Sequence, residues 1–125
     1  MKTLSGILAI ILFLGILSST ACQKDDSQND NVKKPESWEI IVYGIPDCRL
    51  CSSFKDALDQ EGLPYTFYDI NTNNEKRAEM MKKLTDAGYT SDDIHWPIVD
   101  VIVDGVTHIM IQPDIDKDIK PLIGM

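Results

Sequence analysis

The sequence predicts an α/β domain in which helices cover both faces of one four-stranded mixed sheet, with the element order βαβαββα. Runs of β-branched and aromatic residues, bounded by Gly or Pro, indicate strands. The Asp104-Gly105 pair between two such runs is typical of a two-residue hairpin turn. Between the other runs, apolar residues recur at helical spacing. The predicted strands are residues 38–43, 65–70, 98–103 and 106–111.

Three segments show the helical pattern. The first has apolar positions at Cys51, Phe54, Ala57 and Leu58 and ends at Gly62. In the second, Thr72 and Glu75 form a capping box, and apolar positions continue to Gly88. A last short helix begins around Pro113 and Asp114.

Length and charge exclude several classes of protein. The chain has 125 residues, enough for one domain, and a formal net charge of −8, which repels phosphate backbones. We therefore expect that the protein binds no nucleic acid, and we also expect it to be a monomer. Hydrophobic residues make up 43% of the chain, which supports a packed core. The three cysteines are too few for a small scaffold held by several disulfides.

The first 21 residues have the parts of a secretory signal peptide: Lys2, an apolar run over residues 7–17, and small residues over 18–21. The alternative is an uncleaved membrane anchor. Eleven apolar residues rise only about 16 Å as a helix, against a hydrocarbon core of roughly 30 Å. A cleaved signal peptide is the better interpretation.

Cys22 follows the small residues, and this segment resembles the lipobox of bacterial lipoproteins, whose Cys is acylated. Ser19 stands where such boxes usually carry Leu. The resemblance implies a lipid anchor on Cys22, a flexible tether over residues 22–37, and a location in the cell envelope. Gln23 to Asp26 looks like a signal for display on the cell surface, so either face of the outer membrane is open. The alternative is an unmodified cysteine after an ordinary cleavage site.

Cys48-Arg49-Leu50-Cys51 carries the chemistry. Placed between the first strand and a helix N-terminus, Cys48 faces free backbone N–H groups that favour the reactive thiolate. Cys51, one turn later, can resolve a mixed disulfide between Cys48 and a substrate. Arg49 lowers the thiol pKa and Asp47 raises it, so the net shift stays open.

The spacing of the Cys pair also allows uses outside redox exchange. A zinc site needs about four ligands, and only His95 and His108 are present to complete one. The same spacing is compatible with copper, with an iron–sulfur cluster bridged between two chains, and with a purely structural disulfide. We expect no metal.

The folded part, residues 38–125, resembles the glutaredoxin family of the thioredoxin-like superfamily. The matching residues are Tyr43, the Cys48-x-x-Cys51 pair, Asp69-Ile70-Asn71, Trp96-Pro97, Asp104-Gly105 and His108-Ile109. The resemblance implies that the bond before Pro97 is cis, that Pro97 lies beside the cysteines, and that the backbone of Trp96 pairs with substrate. It also implies thiol–disulfide exchange without a cofactor other than the Cys pair.

The chain departs from the glutaredoxin pattern where the family binds glutathione. Ile45 replaces a Lys, Arg49-Leu50 replaces Pro-Tyr, and Met110-Ile111 replaces Gly-Gly. Arg49 and Asp114 are then the charged groups expected near a bound peptide. These departures favour protein disulfides over glutathione as substrates, with a separate redox partner to recycle the dithiol.

The sequence therefore predicts a membrane-tethered thiol–disulfide oxidoreductase. The alternative is a redox-inert binding module in which the Cys pair braces a loop and Trp96 docks a partner. Two further polar residues have simpler interpretations. We expect His95 in an exposed loop and Asp100 at a solvated rim of the sheet, although a proton-shuttling role of Asp100 near the cysteines stays open.

Overall fold

A computed structural model describes residues 33–125. The predicted signal peptide (1–21), Cys22 and the first part of the predicted tether lie outside the described residues. Within residues 33–125, no helix has both the length and the apolar character needed to cross a membrane.

Residues 33–125 form four strands and two regular helices in the order that the sequence predicts. They are followed by a short C-terminal π-helical turn, and a single 3₁₀ turn precedes the third strand. In chain order the elements are β1 (Trp38–Gly44), α1 (Arg49–Gln60), β2 (Thr66–Asp69), α2 (Asn74–Asp86), the 3₁₀ turn (Ser91–Asp93), β3 (Ile98–Val103), β4 (Val106–Ile111) and the π-helical turn (Ile115–Ile119).

The strands form one mixed sheet in the order β2-β1-β3-β4. β1 pairs in parallel with β2, whereas the β1–β3 and β3–β4 pairs are antiparallel. A parallel βαβ unit joined to an antiparallel hairpin is the thioredoxin-like arrangement, and the predicted fold class is confirmed.

Side chains alternate across the sheet and divide the core in two. Ile40 and Val42 of β1 point to the face covered by α1 and the C-terminal turn, where they meet Leu58 and Ile119. On the opposite face, the β1 side chains lie in a cluster with Met80 and Leu84 of α2. Helices therefore cover both faces, and β1, at the centre, is buried from Ile40 to Gly44.

The start of α1 agrees with the prediction, and the start of α2 does not. α1 begins at Arg49, with Cys48 as its N-cap. The predicted cap of α2, Thr72, is wrong: Asn73 occupies that position and accepts from the N–H of Lys76 at 3.0 Å. The hydroxyl of Thr72 instead donates to the carbonyl of Asp69 at 3.4 Å, within the turn that leaves β2.

The predicted hairpin turn is confirmed, and it also holds the segment that leads into β1. Asp104 and Gly105 have φ values of 48° and 83°, as a two-residue hairpin turn requires. The Asp104 carboxylate accepts from the N–H groups of Glu36 and Ser37, both at 2.9 Å. These contacts fasten the segment before β1 at the end of the sheet opposite to the end where β1 meets Cys48.

Candidate active site

The cysteine pair lies where the central strand runs into a helix N-terminus. β1 ends at Gly44, a short turn follows, and Cys48 has the extended backbone of an N-cap (φ −91°, ψ 103°). Its Sγ accepts the N–H of Cys51 at 3.0 Å. That N–H is one of the helix donors that have no partner within the helix. The same donor and the positive end of the helix dipole would favour a thiolate on Cys48 after reduction.

Cys48 and Cys51 are joined by a disulfide, with their Cα atoms 5.2 Å apart. Cys48 is half-buried, whereas only 1% of Cys51 is exposed. An incoming sulfur atom can thus reach Cys48 but not Cys51. The pair fits a thiol redox function in which Cys48 is the outer sulfur.

Gly44 makes the space that the inner sulfur occupies. A Cβ at position 44 would lie 2.9 Å from the Sγ of Cys51 and 2.9 Å from the ring of Phe67. Real Cβ atoms essentially never come this close to other heavy atoms. Glycine is therefore required at the end of β1 for Cys51 to sit against the strand.

An apolar groove of about 350 Å³ runs beside the cysteine pair. One wall is the first turns of α1, and the other is the start of β3 with the chain that leaves β4. Leu50, which stands between the two cysteines in the sequence, is 58% exposed on the first wall. The lining residues are Leu50, Ser53, Phe54, Pro97, Gln112 and Pro113.

Pro97 belongs to the opposite wall of this groove, and Trp96 precedes it. The peptide bond between them is cis, as the family resemblance implies, and the ring of Pro97 is buried. The Trp96 side chain is half-buried and packs with the core cluster on the α2 face of the sheet. Its carbonyl oxygen accepts from Nε2 of Gln112 at 2.7 Å. The carbonyl oxygen of Trp96 is thus bonded to a side chain that lines the groove, while its ring packs against the core.

The other predicted site residues are more dispersed. Arg49 is exposed at the first position of α1, next to Cys48. Asp114 uses its Oδ1 to accept the N–H groups of Asp116 and Lys117, both at 2.9 Å, and so caps the C-terminal turn. His95 is exposed in its loop, as expected, with Nδ1 2.9 Å from the carbonyl oxygen of Asp93.

A separate polar cluster occupies the α2 face of the sheet. The expectation that Asp100 lies at a solvated rim is wrong: none of its surface is exposed, and its Oδ2 lies 2.6 Å from Nζ of Lys83. Lys83 also donates to Glu79 at 2.8 Å, and the hydroxyl of Tyr43 donates to Glu79 at 3.1 Å. β3 places Asp100 on the face opposite to α1, because its neighbours Val99 and Val101 point to the α1 face. The carboxylate is therefore on the other side of the sheet from the cysteines.

The pKa values within this cluster follow its contacts. Hydrogen bonds from Lys76 and Lys83 lower the pKa of Glu79 to about 2. Burial alone lowers the pKa of Lys83, but its hydrogen bonds to Asp100 and Glu79 more than offset this and hold the pKa above its usual range. Burial raises the pKa of the Tyr43 hydroxyl well above its usual range, and the nearby Lys83 partly counteracts the rise. Glu79, Lys83 and Tyr43 therefore keep their ordinary charge states around neutral pH.

Comparisons with known proteins agree with this geometry. A family model described as glutaredoxin matches residues 40–99. An uncharacterized 11.8 kDa protein of Enterobacteria phage T4, from the Gp55-nrdG intergenic region, is 38% identical over 69 residues, which cover 49% of this chain and 68% of the phage protein. The chain belongs to the glutaredoxin/thioredoxin-like family. The crystal structure of a point mutant of the thioredoxin-like protein BC3987 is also similar, at 25% identity and a TM-score of 0.47, covering 69% of this chain and 95% of that one.

Within the glutaredoxin/thioredoxin-like family, the positions that the resemblance links to glutathione carry other chemistry here. Ile45 is half-buried and packs against the core on the α2 face. Met110 packs against the core on the α1 face. With Asp114 capping the C-terminal turn, the charged residue that remains beside the cysteines from the predicted set is Arg49. No group of three or more His, Cys, Asp or Glu side chains that could hold a metal ion is found within residues 33–125.

Sequence reasoning placed Pro97 beside the cysteines, but it did not predict that the side chains of Leu50 and Gln112 line the groove there, and it missed the buried cluster. Leu50 and Gln112 belong to segments that carry no periodic pattern of their own, and only the fold brings them to one groove. One signal was present for Asp100, which interrupts an otherwise apolar run over residues 98–103. A charge inside a central strand requires a partner, and the spacing of Glu79 and Lys83 on α2 offered one.

Proposed function

We propose that this protein is a thiol–disulfide oxidoreductase that exchanges disulfides with other proteins in the cell envelope. The observation that carries the proposal is the position of Cys48: it is the helix N-cap, its Sγ accepts the Cys51 N–H at 3.0 Å, and it is the more exposed sulfur of the pair. These are the features of an attacking cysteine.

In the reducing direction, the thiolate of Cys48 attacks one sulfur of a client disulfide. The Cys48–client bond forms, the client disulfide breaks, and the first client sulfur leaves as a thiolate that takes up a proton. The thiolate of Cys51 then attacks Sγ of Cys48, which releases the second client thiol. The client gains two electrons and the Cys pair becomes a disulfide. A separate dithiol partner reduces the pair again, and the oxidising direction runs through the same steps in reverse.

Two features support a protein client over glutathione. Four of the six residues that line the groove beside the cysteines are apolar, and none is charged, which suits a polypeptide segment better than a small charged peptide. In addition, the positions that the family resemblance links to glutathione hold Ile45 and Met110, which belong to the core. Arg49 and the main chain of Trp96 are the proposed binding groups at the two sides of the groove.

The test compares disulfide exchange by the full chain with that of two Ser variants. Cys48→Ser should abolish reduction of a protein disulfide, because the remaining sulfur of the pair, that of Cys51, is only 1% exposed and cannot be reached by the client. Cys51→Ser should instead accumulate a mixed disulfide between Cys48 and the client, visible as a mass increase that dithiothreitol removes. If the unmodified chain and Cys48→Ser both exchanged disulfides no faster than the uncatalysed reaction, the protein would be a redox-inert binding module with a structural Cys pair.

We further propose that acylated Cys22 ties the protein to a membrane. The support is the sequence before it: an apolar run over residues 7–17, small residues over 18–21, and then Cys22. Lipid chains contribute roughly 0.8 kcal/mol per buried CH₂ group, so several chains hold a protein without a membrane helix. The test is metabolic labelling with a clickable fatty acid. The unmodified chain should take up the label and sediment with membranes, and Cys22→Ala should do neither.

A further inference from the structure

Gln112 donates hydrogen bonds to the carbonyl groups of both residues that precede β3, Trp96 and Pro97. The β3–β4 ladder ends at the Ile98–Ile111 pair. Beyond it, the N–H of Gln112 donates to the carbonyl oxygen of Pro97 at 2.8 Å. The side-chain Nε2 of the same glutamine donates to the carbonyl oxygen of Trp96 at 2.7 Å. Gln112 thus extends the ladder by one main-chain bond and one side-chain bond.

The backbone of Gln112 adopts an unfavourable conformation to make these bonds. Its φ is 48°, in the left-handed region that residues with a Cβ seldom occupy. Pro113 follows directly, and a proline pushes the preceding residue towards extended backbone. Strained residues of this kind persist where the surroundings hold them, and they occur preferentially at binding sites. Here the strained residue lines the groove beside the cysteines.

The side-chain amide of Gln112 is chemically the same kind of donor as a main-chain N–H. An extended polypeptide in the groove could therefore give the Trp96 carbonyl the bond that Gln112 now gives it. A small disulfide that contains no peptide group, such as bis(2-hydroxyethyl) disulfide, makes no main-chain hydrogen bond to that carbonyl.

We propose that Gln112 is a specificity-determining latch. Its side-chain amide donates a hydrogen bond to the Trp96 carbonyl while the groove is empty, and this bond breaks when an extended client segment binds there and donates to the same carbonyl. This inference rests on the proposed function in that the client is a polypeptide disulfide. Clients that bind through their main chain must break the Gln112–Trp96 hydrogen bond, which weakens their binding. Small disulfides bind without breaking it. The latch lowers affinity for such clients and favours those that offer further contacts in the groove.

The test uses the full chain, purified in detergent, and two variants that remove the donor. Gln112→Ala deletes the amide, and Gln112→Glu keeps the shape but places an acceptor next to the Trp96 carbonyl. The substrates are a neutral, extended peptide disulfide and bis(2-hydroxyethyl) disulfide. Gln60→Ala, at the exposed end of α1, is the matched control. Thermal unfolding shows which variants are folded, and either latch variant alone suffices for the test.

In both latch variants we expect the ratio of the two KM values, peptide over small disulfide, to fall about two- to tenfold, the size that one net hydrogen bond gives. The change should lie in KM and not in kcat. Gln60→Ala should keep the ratio of the unmodified chain. An unchanged ratio, or a higher KM for the peptide, would overturn the latch, the second because it would mean that the amide binds the client directly.

A binding measurement separates this inference from the proposed function. The affinity of a fluorescent peptide of the same sequence, with its cysteines replaced by serine, is measured by anisotropy on the same variants. Two- to tenfold tighter binding by the latch variants supports the latch even if no chain turns over a disulfide, in which case the proposed function alone has failed. Equal affinities in all the variants overturn the latch even if the enzyme is active.

Discussion

Nζ of Lys83 lies 2.6 Å from Oδ2 of Asp100, a carboxylate with none of its surface exposed. The other oxygen, Oδ1, accepts the N–H of His108 from β4 at 3.1 Å. Lys83 therefore joins α2 to the centre of the sheet, because it neutralises the charge inside β3. A buried carboxylate that loses its cation keeps its desolvation penalty without compensation.

The first prediction concerns this pair. Lys83→Met should lower the free energy of unfolding by about 3 kcal/mol, because Asp100 is then buried without a counter-charge. Urea unfolding at neutral pH measures the effect. The matched control is Lys82→Met on the same helix, whose partner Asp86 is exposed; it should cost less than about 1 kcal/mol. Adding Asp100→Asn to Lys83→Met should recover part of the loss, and equal losses in the two Lys variants would contradict the assignment.

The second prediction concerns acid stability. The pKa of Glu79 is lowered to about 2 by hydrogen bonds from Lys76 and Lys83, against a usual value of 4.5. A lowered pKa in the folded state means that this stabilisation is complete above pH 4.5 and is lost as the pH falls towards 2. Glu79→Gln should therefore unfold more easily than the unmodified chain at pH 6, with the difference shrinking below pH 4.5. A difference that stayed constant over this range of pH would show that Glu79 titrates normally.

The third prediction concerns the space behind the inner sulfur. Gly44→Ala places a Cβ 2.9 Å from Sγ of Cys51 and from the Phe67 ring, so one of them must move. We expect a loss of about 1–3 kcal/mol in the free energy of unfolding, as for other overpacked cores. Because we propose that Cys51 is the resolving sulfur, the variant should also accumulate more mixed disulfide during turnover. Mass spectrometry of acid-quenched reactions measures that fraction, and a stable variant with normal turnover would be inconsistent with the geometry.

The fourth prediction concerns the groove wall. Leu50→Ser removes apolar surface next to the cysteines and should raise KM for a protein disulfide about three- to tenfold. Val106→Ser is the matched control, since Val106 and Leu50 are both 58% exposed but Val106 lies in β4 next to the hairpin turn. Steady-state kinetics on a protein disulfide compares the two. Equal effects would mean that the general polarity of the surface, and not the groove, determines KM.

The sequence predicted the order of the elements because its local signals agree. The β-branched runs, the Asp104-Gly105 turn and the glycines after the helices each point to the same element bounds. The position of Cys48 at a helix N-terminus was predicted equally well, since the pair directly follows a strand and precedes a helical pattern. Thr72 and Glu75 have the spacing of a capping box, but the adjacent Asn73 belongs to an equally favoured residue type and is the N-cap in the structure.

What the sequence did not predict depends on contacts between distant segments. From the sequence alone, Asp100 is expected at the surface. In the fold, α2 places Lys83, which is 17 positions earlier in the chain, next to it. Gln112 reads as a loop residue until the start of β3 brings the Trp96 carbonyl within reach of its amide. The role of each of these polar side chains depends on the residue that it contacts. A local sequence pattern does not identify a contact between residues this far apart in the chain.

The central claim is that Cys48 is the attacking sulfur, and the most direct measurement is the pH dependence of alkylation of each thiol. The reduced full chain is treated briefly with iodoacetamide over a range of pH, and peptide mapping locates the label. Cys48 should label with a midpoint below the ordinary thiol pKa of about 8.5, while Cys51, being 1% exposed, stays largely unlabelled. Preferential labelling of Cys51, or equal labelling of both thiols with an ordinary midpoint, would contradict the account.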